Sequence, residues 1–307
     1  MLKPLLTATL LGSALIAMSG PVAAREITHA MGVTEVPDDP QRIVMLTNEG
    51  TEALVYIGAI PVGAVQSWDG DPWYAHLDEA LKDTVDLGTE NAVNLEILAS
   101  LEPDLIIGNK VRQEKIYDQL SAIAPTVFAE DLSGSWQDNM RLYSETVGKA
   151  EEGKQALEAF NTRAKELAAA IGDGVNDEIS LVRFAPGRVR LYYKDTFAGG
   201  ILDLMGFKRP AAQDKDEFAE EVQKERIPDM DGDRIFYFSD DADPVDVKAN
   251  LDEWISDPLW LNLEGVKAGK AQRVSELVWN TGGGIFCANM LLDEIAAIYG
   301  VEAPKVQ

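Results

Sequence analysis

The stretch AEEGKQALEAFNTRAKELAAAI, residues 150–171, decides the fold of this chain. Its apolar residues recur at steps of three, four or seven, at Ala150, Leu157, Phe160, Ala164, Leu167 and Ile171. This spacing predicts an amphipathic helix with one buried face, and glycines stand just outside both of its ends. A helix of this length spans roughly 33 Å, about the width of a small domain. We expect it, preceded by a shorter helix over 136–147, to join two similar lobes as a stiff connection that permits only modest lobe movement.

Short apolar runs alternate with helical patterns on both sides of this helix. Strands are predicted over 42–46, 60–65, 104–107 and 125–128 before it, and over 179–184 and 189–193 after it. The residues 26–34 are predicted as an edge strand, and 51–57 as a helix. Alternation of this kind is typical of α/β units built on a parallel sheet. The predicted fold class is therefore α/β, with two α/β lobes bridged by a single long α-helix and a ligand cleft between the lobes.

Two pairs of segments indicate that the lobes share one duplicated architecture. ALVYIGAIPVGAV (53–65) and ILDLMGFKRPAAQ (201–213) each contain a helix end, a glycine and then a proline. NLEILASLEPDLIIG (94–108) and QKERIPDMDGDRIFY (223–237) each place a glutamate, Glu96 or Glu225, eight residues before an aspartate that opens an apolar strand. The two pairs occur in the same order along the chain, which favours a repeated unit over coincidence.

The first 24 residues have the pattern of a secretory signal peptide. Lys3 gives the positive start, 5–17 the apolar core, and Val22-Ala23-Ala24 the small-residue cleavage site. The predicted organisation is a signal peptide over 1–24, an N-terminal lobe over 25–135, a connecting helical segment over 136–171 and a C-terminal lobe over 172–307. The one cysteine, Cys287, is far from the cleavage site. We therefore expect a soluble periplasmic protein with a cleaved signal peptide and no lipoprotein cysteine.

Composition excludes some classes of function. The formal net charge is −25, so the chain has no basic footprint for binding nucleic acid. The enzyme motifs for a nucleophile elbow, a phosphate-binding loop and a zinc protease are absent from the sequence. The only histidines are His29 and His76, which rules out a histidine-rich metal site. We expect both to be structural or solvated, Cys287 to be a buried inert thiol, and no metal ligand or catalytic residue among the side chains.

The remaining polar signals lie in loops and strands expected to face the cleft. Arg183 ends the apolar run ISLV, and Arg188, Arg190 and Tyr192 alternate onto one face of the following strand. An arginine can hold a carboxylate or catecholate oxygen through paired hydrogen bonds. Its alternative, an exposed surface arginine, is equally compatible with the sequence. A triple-glycine loop at 282–284 could bring backbone amides close to an anion or could be a flexible connection.

Four segments resemble periplasmic substrate-binding proteins of iron–siderophore ABC transporters, a family related to the vitamin B12 binding protein. They are THAMGVTEVPDDPQRIVML (28–46), LGTENAVNLEILASLEPDLIIG (87–108), YDQLSAIAPTV (117–127) and DPLWLNLEGVKAGKAQRVSELVW (257–279). The resemblance is closest to binders of ferric citrate and of hydroxamate or catecholate siderophores. It implies two α/β lobes on one long helix and a protein that captures a ferric siderophore and delivers it to an ABC importer permease at the inner membrane.

The resemblance also assigns candidate residues. It implies a ligand-binding set of Trp68, Arg112, Arg183, Arg190, Tyr192 and Trp279. It implies that Glu96 and Glu225, one per lobe, contact arginines of the permease, although each could be a simple exposed charge. No cofactor is expected, because the ferric siderophore satisfies its own metal, and the protein is expected to be a monomer. A haem or corrinoid ligand in the same fold, and a periplasmic siderophore-processing enzyme, are the alternatives.

Overall fold

The computed structural model describes residues 24–132, 134–239 and 244–305, so residues 1–23 of the predicted signal peptide lie outside it. The first lobe and the helices that follow it comprise, in chain order, β1 (Ala24–His29), β2 (Gly32–Pro37), β3 (Ile43–Met45), α1 (Asn48–Tyr56), β4 (Gly63–Ala64), β5 (Val85–Asp86), β6 (Gly88–Thr89), β7 (Ala92–Val93), α2 (Leu95–Ser100), β8 (Leu105–Asn109), α3 (Lys110–Gln113), α4 (Tyr117–Ser121), β9 (Thr126–Ala129), α5 (Trp136–Thr146) and α6 (Ala150–Ile171).

The second lobe comprises β10 (Ile179–Ala185), β11 (Arg188–Tyr192), α7 (Phe197–Met205), β12 (Ala219–Val222), β13 (Arg234–Ser239), α8 (Pro244–Ile255), α9 (Pro258–Leu261), α10 (Glu264–Lys267), β14 (Ala271–Arg273) and α11 (Ile285–Tyr299). A π-helical turn, Leu277–Thr281, precedes α11. Among the described residues, every helix is too short or too polar to cross a lipid bilayer.

The first lobe contains a five-stranded parallel sheet in the order β5-β4-β3-β8-β9. Its strands alternate between two buried faces. Ile43 and Met45 face one core cluster, whereas Val44 and Leu46 face another. A sheet buried on both faces needs almost continuous apolar strands, which is why the run RIVML could be identified as a strand from the sequence.

The second lobe contains a mixed sheet in the order β12-β11-β10-β13-β14, so the expectation of a parallel sheet is wrong for part of this lobe. β10 and β13 are parallel, as are β13 and β14, but β11 is antiparallel to both β10 and β12. The cause is the tight connection at Pro186-Gly187, where Gly187 has a φ of 68°. A two-residue turn can only return the chain as a hairpin, whereas a parallel neighbour requires a long crossover.

The two lobes nevertheless share the expected repeat. β8 lies between β3 and β9 in the first sheet, and β13 lies between β10 and β14 in the second. Each of these strands follows one of the matched segments that carry Glu96 and Glu225. After α1 the chain pairs with β3 in parallel through β4, and after α7 it makes a parallel bridge between Lys208 and Glu178, next to β10. The hairpin β10–β11 is an addition to this common plan.

The connecting helix α6 has the predicted bounds, Ala150–Ile171. Leu157, Phe160, Ala164 and Leu167 are buried as predicted, but Ala150 is exposed. Arg163 is buried in the same face. Its guanidinium donates to the backbone carbonyls of Pro304, at 2.6 Å, and Asn289, at 2.8 Å, so α6 is also tied to α11 and the chain end.

One continuous core joins the two lobes behind the cleft. It contains Met45 and Leu105 of the first sheet, Phe236 of the second sheet, Phe160 of α6 and Ile295 of α11. Burial of this apolar surface stabilises both lobes at once, at roughly 25 cal/mol per Å² removed from water. The lobes are therefore connected by shared packing as well as by a single helix.

Two local expectations were wrong. The residues 26–34 form parts of two antiparallel strands, β1 and β2, because Gly32, with a φ of 128°, allows the chain to turn there. The helix predicted over 51–57 begins earlier, because Asn48, Glu49 and Gly50 form the first turn of α1. The side chain of Thr47 accepts a hydrogen bond from the backbone N–H of Gly50 at 3.1 Å and caps this helix.

Candidate ligand-binding site

A cavity of about 710 Å³ lies between the lobes. Its first-lobe wall follows the carboxyl ends of the parallel strands: Asn48 and Glu49 come after β3, and Val111 and Arg112 come after β8. Open α/β sheets bind ligands beyond these strand ends, because the connecting loops converge there. The structure therefore places the cleft where the order of strands and helices predicts it.

Arg112 is held in this wall by Glu90 and Trp68. The guanidinium Nε donates to Glu90 Oε2 at 3.0 Å, and the guanidinium carbon lies 5.7 Å from the Trp68 ring centroid. The other oxygen of Glu90 accepts hydrogen bonds from the backbone N–H and the side-chain amide of Asn48, at 2.8 and 2.9 Å. The side chain of Arg112 remains 35% exposed, so it is oriented by its neighbours and still accessible from the cavity.

The second-lobe wall is the face of the β10–β11 hairpin. Arg188, Arg190 and Tyr192 alternate along β11 and all line the cavity, as the sequence predicts. The opposite face, Val189, Leu191 and Tyr193, is buried in a separate apolar core. The period-two pattern of a strand thus separates a polar binding face from an apolar packing face.

Arg183 of β10 also lines the cavity and lies directly opposite Arg190 in the antiparallel register. Its guanidinium Nη2 is 2.7 Å from Glu276 Oε1, and the two side chains are 12% and 9% exposed. Burial raises the pKa of the neighbouring Tyr192 hydroxyl, so this phenol stays protonated at neutral pH. Four arginines, at positions 112, 183, 188 and 190, therefore face one cavity in a protein whose net charge is −25.

A loop of the second lobe, residues 280–284, completes the wall and is called the cleft loop below. Asn280, Thr281, Gly282 and Gly283 line the cavity. Gly283 has a φ of 70°, a left-handed conformation that favours glycine. The hydroxyl of Tyr74, in the first lobe, donates to the backbone carbonyl of Thr281 at 3.0 Å. The cleft loop is thus attached to the first lobe.

Trp279 does not line the cavity, in contrast to its neighbours in the cleft loop. Its side chain is fully buried, and its ring centroid lies 4.9 Å from that of Phe236. The indole Nε1 donates to Glu294 Oε2 at 2.6 Å. The π-helical turn Leu277–Thr281 has a wider repeat than an α-helix, so neighbouring residues point to different sides. Of the six ligand-binding candidates, the structure brings together Trp68, Arg112, Arg183, Arg190 and Tyr192 and leaves Trp279 in the core.

Four lining residues were not identified from the sequence: Asp131, Leu132, Phe197 and Phe218. Phe218 is 42% exposed and precedes the edge strand β12. The run AEEV of β12 carries too much charge to be recognised as a strand. A large exposed aromatic residue next to a turn-rich segment is the signal that could have indicated Phe218.

Glu49 is a buried carboxyl group in the first-lobe wall. Its Oε2 accepts a hydrogen bond from the Asn139 amide at 3.3 Å, while Oε1 has no hydrogen-bond partner among the described residues. Burial raises the pKa of Glu49 well above its usual range, and the nearby carboxylates of Glu90, Asp131 and Glu52 add to this effect. Burial therefore favours the uncharged form of Glu49 more than that of an exposed glutamate, which reduces the negative charge that it brings to the cavity.

The best metal-ligand set in the described part of the chain is Glu52, His76 and Cys287, whose ligand atoms lie within 4.8 Å of one another. These side chains are already hydrogen-bonded to one another. His76 Nε2 lies 2.9 Å from Glu52 Oε1, and Cys287 Sγ donates to the same oxygen at 3.0 Å. Burial raises the pKa of the Cys287 thiol well above its usual range, which opposes the thiolate that a metal ion requires. His76 lies in a turn.

Glu96 and Glu225 lie outside the cavity. Glu96 is in the first turn of α2, and Glu225 is in the first turn of a 3₁₀ helix, Lys224–Met230. Both are exposed, one on each lobe, and both precede the topologically matched strands β8 and β13. The structure therefore supports their equivalence.

The geometry suits binding rather than covalent chemistry. The cavity combines guanidinium groups with exposed apolar side chains, namely Trp68 at 41%, Val111 at 64% and Phe218 at 42% exposure. An anionic ligand with an organic scaffold would satisfy both kinds of surface.

Comparison with known proteins agrees with this geometry. A family model described as "Periplasmic binding protein" matches residues 43–277. The "Probable siderophore-binding lipoprotein YfiY" of Bacillus subtilis (strain 168) is 51% identical over 286 residues, which cover 90% of this chain and 87% of that protein. The "Achromobactin-binding periplasmic protein" of Dickeya dadantii (strain 3937) is 28% identical over 268 residues, which cover 85% of this chain and 87% of that protein.

Solved structures show the same fold. The crystal structure of Staphylococcus aureus SirA complexed with staphyloferrin B has a TM-score of 0.85 and is 35% identical, covering 91% of this chain and 100% of that chain. Its two-lobe architecture matches the one described above. With a family match over most of its length, this chain belongs to the periplasmic binding protein family, as an extracytoplasmic substrate-binding protein and not an enzyme.

Proposed function

We propose that this protein captures a ferric siderophore with anionic oxygen donors and delivers it to an ABC importer. The observation that carries the proposal is the convergence of Arg112, Arg183, Arg188 and Arg190 on one interlobe cavity. Arg183 and Arg190 are directly opposed across two strands, an arrangement that costs free energy without a counter-charge between them. Glu276 forms an ion pair with Arg183. Glu221 of β12 lies opposite Arg190 in the antiparallel register but forms no ion pair with it in the described part of the chain, so an anionic ligand would supply Arg190 with a closer counter-charge.

The names of the relatives support a ferric siderophore, and two of them name a carboxylate ligand. SirA is complexed with staphyloferrin B, another relative is named for achromobactin, and two are named for ferric citrate. Arginine is suited to such groups because its planar donors match a carboxylate in two parallel hydrogen bonds. A haem or corrinoid would instead be favoured by largely apolar walls, whereas the wall formed by β10 and β11 is cationic.

We further propose that the siderophore supplies the ligands of its own iron. Glu90, the buried carboxylate of the cavity wall, is already engaged by Arg112 and Asn48, and burial favours the uncharged form of Glu49. The protein would then recognise the outer surface of the complex. This fits a carrier that must release its cargo intact to a permease.

A ligand panel tests the proposal. Tryptophan fluorescence is titrated with ferric staphyloferrin B, ferric citrate, a ferric hydroxamate and a ferric catecholate, with haem as the alternative ligand. We expect saturable quenching below micromolar concentration for at least one carboxylate complex. Binding of haem alone would assign the alternative, and no binding across the panel would overturn the proposal.

We also propose where the protein works and what it contacts. It would be a monomer, soluble in the periplasm after cleavage of residues 1–24, and would meet the permease through Glu96 and Glu225. Two relatives are named lipoproteins, and an acyl anchor requires a cysteine after the signal peptide. The single cysteine of this sequence is Cys287, which is buried at the start of α11. Recovery in the osmotic-shock fraction supports the periplasmic assignment, and recovery with membranes would contradict it.

A further inference from the structure

Glu52 connects the two lobes directly behind the cleft. It lies on α1 of the first lobe and is fully buried. Its Oε2 accepts hydrogen bonds from the backbone N–H groups of Phe286 and Cys287, each at 3.0 Å. These amides belong to the first turn of α11 in the second lobe, where an α-helix has no internal acceptor for them.

Glu52 takes the place of a normal helix cap. The residue before α11 is Gly284, which has no side chain to cap the helix. A Cβ atom at Gly284 would lie 2.6 Å from Glu52 Cβ and 2.7 Å from Oε2, so a larger residue would push the helix end away. Glycine at 284 therefore allows the carboxylate of one lobe to reach the helix amides of the other.

The second oxygen of Glu52 fixes the orientation of the carboxylate. His76 Nε2 lies 2.9 Å from Oε1, and the Cys287 thiol donates to the same atom. The His76 ring stacks on Tyr74, with centroids 5.6 Å apart, and the Tyr74 hydroxyl holds the Thr281 carbonyl. The cleft loop is therefore attached to the first lobe at two points, within the loop at residue 281 and just after it at residues 286–287.

We propose that Glu52 is a positioning residue for ligand binding, which holds the cleft loop in its binding geometry from the opposite lobe, with Tyr74 as a second attachment. Glu52 does not line the cavity and acts through the loop. A loop fixed before binding loses less conformational entropy when the ligand arrives, so the attachment increases affinity. The affinity part of this inference rests on the proposed function, whereas the ordering of the loop does not.

The test compares Glu52→Gln with a matched control, Arg163→Met. Arg163 is also a buried charged residue that holds α11, but its contacts are with Asn289, Asp293 and Pro304, away from the cleft loop. Hydrogen–deuterium exchange and the affinity for ferric staphyloferrin B are measured below the unfolding transition of each variant. Tyr74→Phe, which removes only one hydroxyl, gives a second and milder perturbation.

In Glu52→Gln one neutral amide oxygen replaces the carboxylate, so the hydrogen bonds from the N–H groups of Phe286 and Cys287 lose their charge assistance and about half of their strength. We expect roughly tenfold faster exchange of the peptide covering 280–287 and roughly tenfold weaker binding. Tyr74→Phe should show smaller changes in the same direction. Arg163→Met should lose stability with its affinity and its 280–287 exchange unchanged.

Unchanged exchange of 280–287 together with affinity within about twofold of wild type in a folded Glu52→Gln protein overturns the inference. If Glu52→Gln does not fold, Tyr74→Phe decides by the same two measurements. If the wild-type protein binds no ferric complex, the proposed function fails, and the exchange comparison alone decides whether Glu52 orders the loop.

Discussion

Arg183 and Arg190 face each other across the antiparallel strands β10 and β11 and line the same cavity, but only Arg183 has the buried carboxylate of Glu276 at 2.7 Å. The two arginines therefore have different energetic roles. Removing the charge of Arg190 relieves a like-charge contact with Arg183 and also removes an opposite charge from the cross-strand neighbour Glu221, and these effects offset each other. Removing the charge of Arg183 instead breaks its ion pair with the buried Glu276.

We expect Arg190→Met to weaken binding of a ferric carboxylate siderophore about 10- to 100-fold, which corresponds to one charged hydrogen bond of about 1.5–3 kcal/mol. The free energy of unfolding should stay within about 0.5 kcal/mol of wild type. Arg183→Met should weaken binding as well and cost about 3–5 kcal/mol of stability. Fluorescence titration and urea unfolding measure the two effects. The exposed Arg141→Met is the control, and equal stability losses at 183 and 190 would contradict the assignment.

The two tryptophans named from the sequence should respond differently to ligand. Trp68 is 41% exposed at the cavity next to Arg112, whereas Trp279 is buried against Phe236 and bonded to Glu294. We expect Trp68→Phe to remove most of the ligand-induced quenching. Trp279→Phe should keep that quenching and the affinity but lose about 1–3 kcal/mol of stability, because Glu294 loses its buried donor. Loss of quenching in the Trp279 variant would instead place that ring near the ligand.

The parts of this fold that were predictable are those in which one period dominates. The 3.6-residue stripe around Phe160 defined α6 to the residue, and the period-two alternation of Arg188, Arg190 and Tyr192 placed three side chains on the cavity. Hydrophobic periodicity does not identify a buried position that carries a polar side chain. Arg163 is buried because backbone carbonyls distant in sequence satisfy its guanidinium, and no local pattern encodes that.

The site was less predictable because its details depend on local departures from regular geometry. Trp279 was placed in the cleft by the family resemblance, but a π-helical turn directs its ring into the core. The start of α1 was predicted three residues too late, at residue 51, because the side-chain cap at Thr47 that begins the helix has no apolar periodicity. Phe218 depends on the pairing of β12 with β11, a contact between residues distant in sequence.

The raised pKa of Glu49 predicts a specific pH dependence of stability. When the pKa of a carboxyl group is higher in the folded than in the unfolded state, its contribution to stability is greatest at low pH, where the group is protonated in both states. As pH rises above the unfolded value, about 4.3, folding requires proton uptake and stability falls by about 1.4 kcal/mol per unit until the folded pKa is reached. We therefore expect Glu49→Gln to be more stable than wild type at pH 8 and similar to it at pH 4.

Urea unfolding at the two pH values measures this difference. The matched control is Glu79→Gln, an exposed glutamate that should change neither curve. A Glu49→Gln variant that is less stable than wild type at pH 8 would show that the carboxyl group is ionised in the folded protein.

The exposed glutamates Glu96 and Glu225 give a prediction about transport. Neither lines the cavity, so the double substitution to alanine should leave siderophore affinity within about twofold of wild type. If each pairs with a permease arginine, removing both should reduce uptake at least tenfold, because each substitution leaves an interface arginine without its counter-charge. Uptake by intact cells measures this. The exposed pair Glu79→Ala and Glu166→Ala is the control, and full uptake in the Glu96–Glu225 variant would exclude these residues as the docking site.

The shared core and the single connecting helix predict a small change of shape on binding. Separating the lobes would break the packing of α6 through Phe160 and the attachment of α11 to α1 through Glu52, both of which are buried. A wide hinge motion would expose that surface, whereas rotations of side chains such as Arg112 and Trp68 expose little. We therefore expect little change in the radius of gyration from solution scattering when the ligand saturates the protein, because backbone shifts in preorganised complexes are about 1 Å or less. A clear contraction would mean that the lobes close around the ligand and that the buried interlobe packing rearranges.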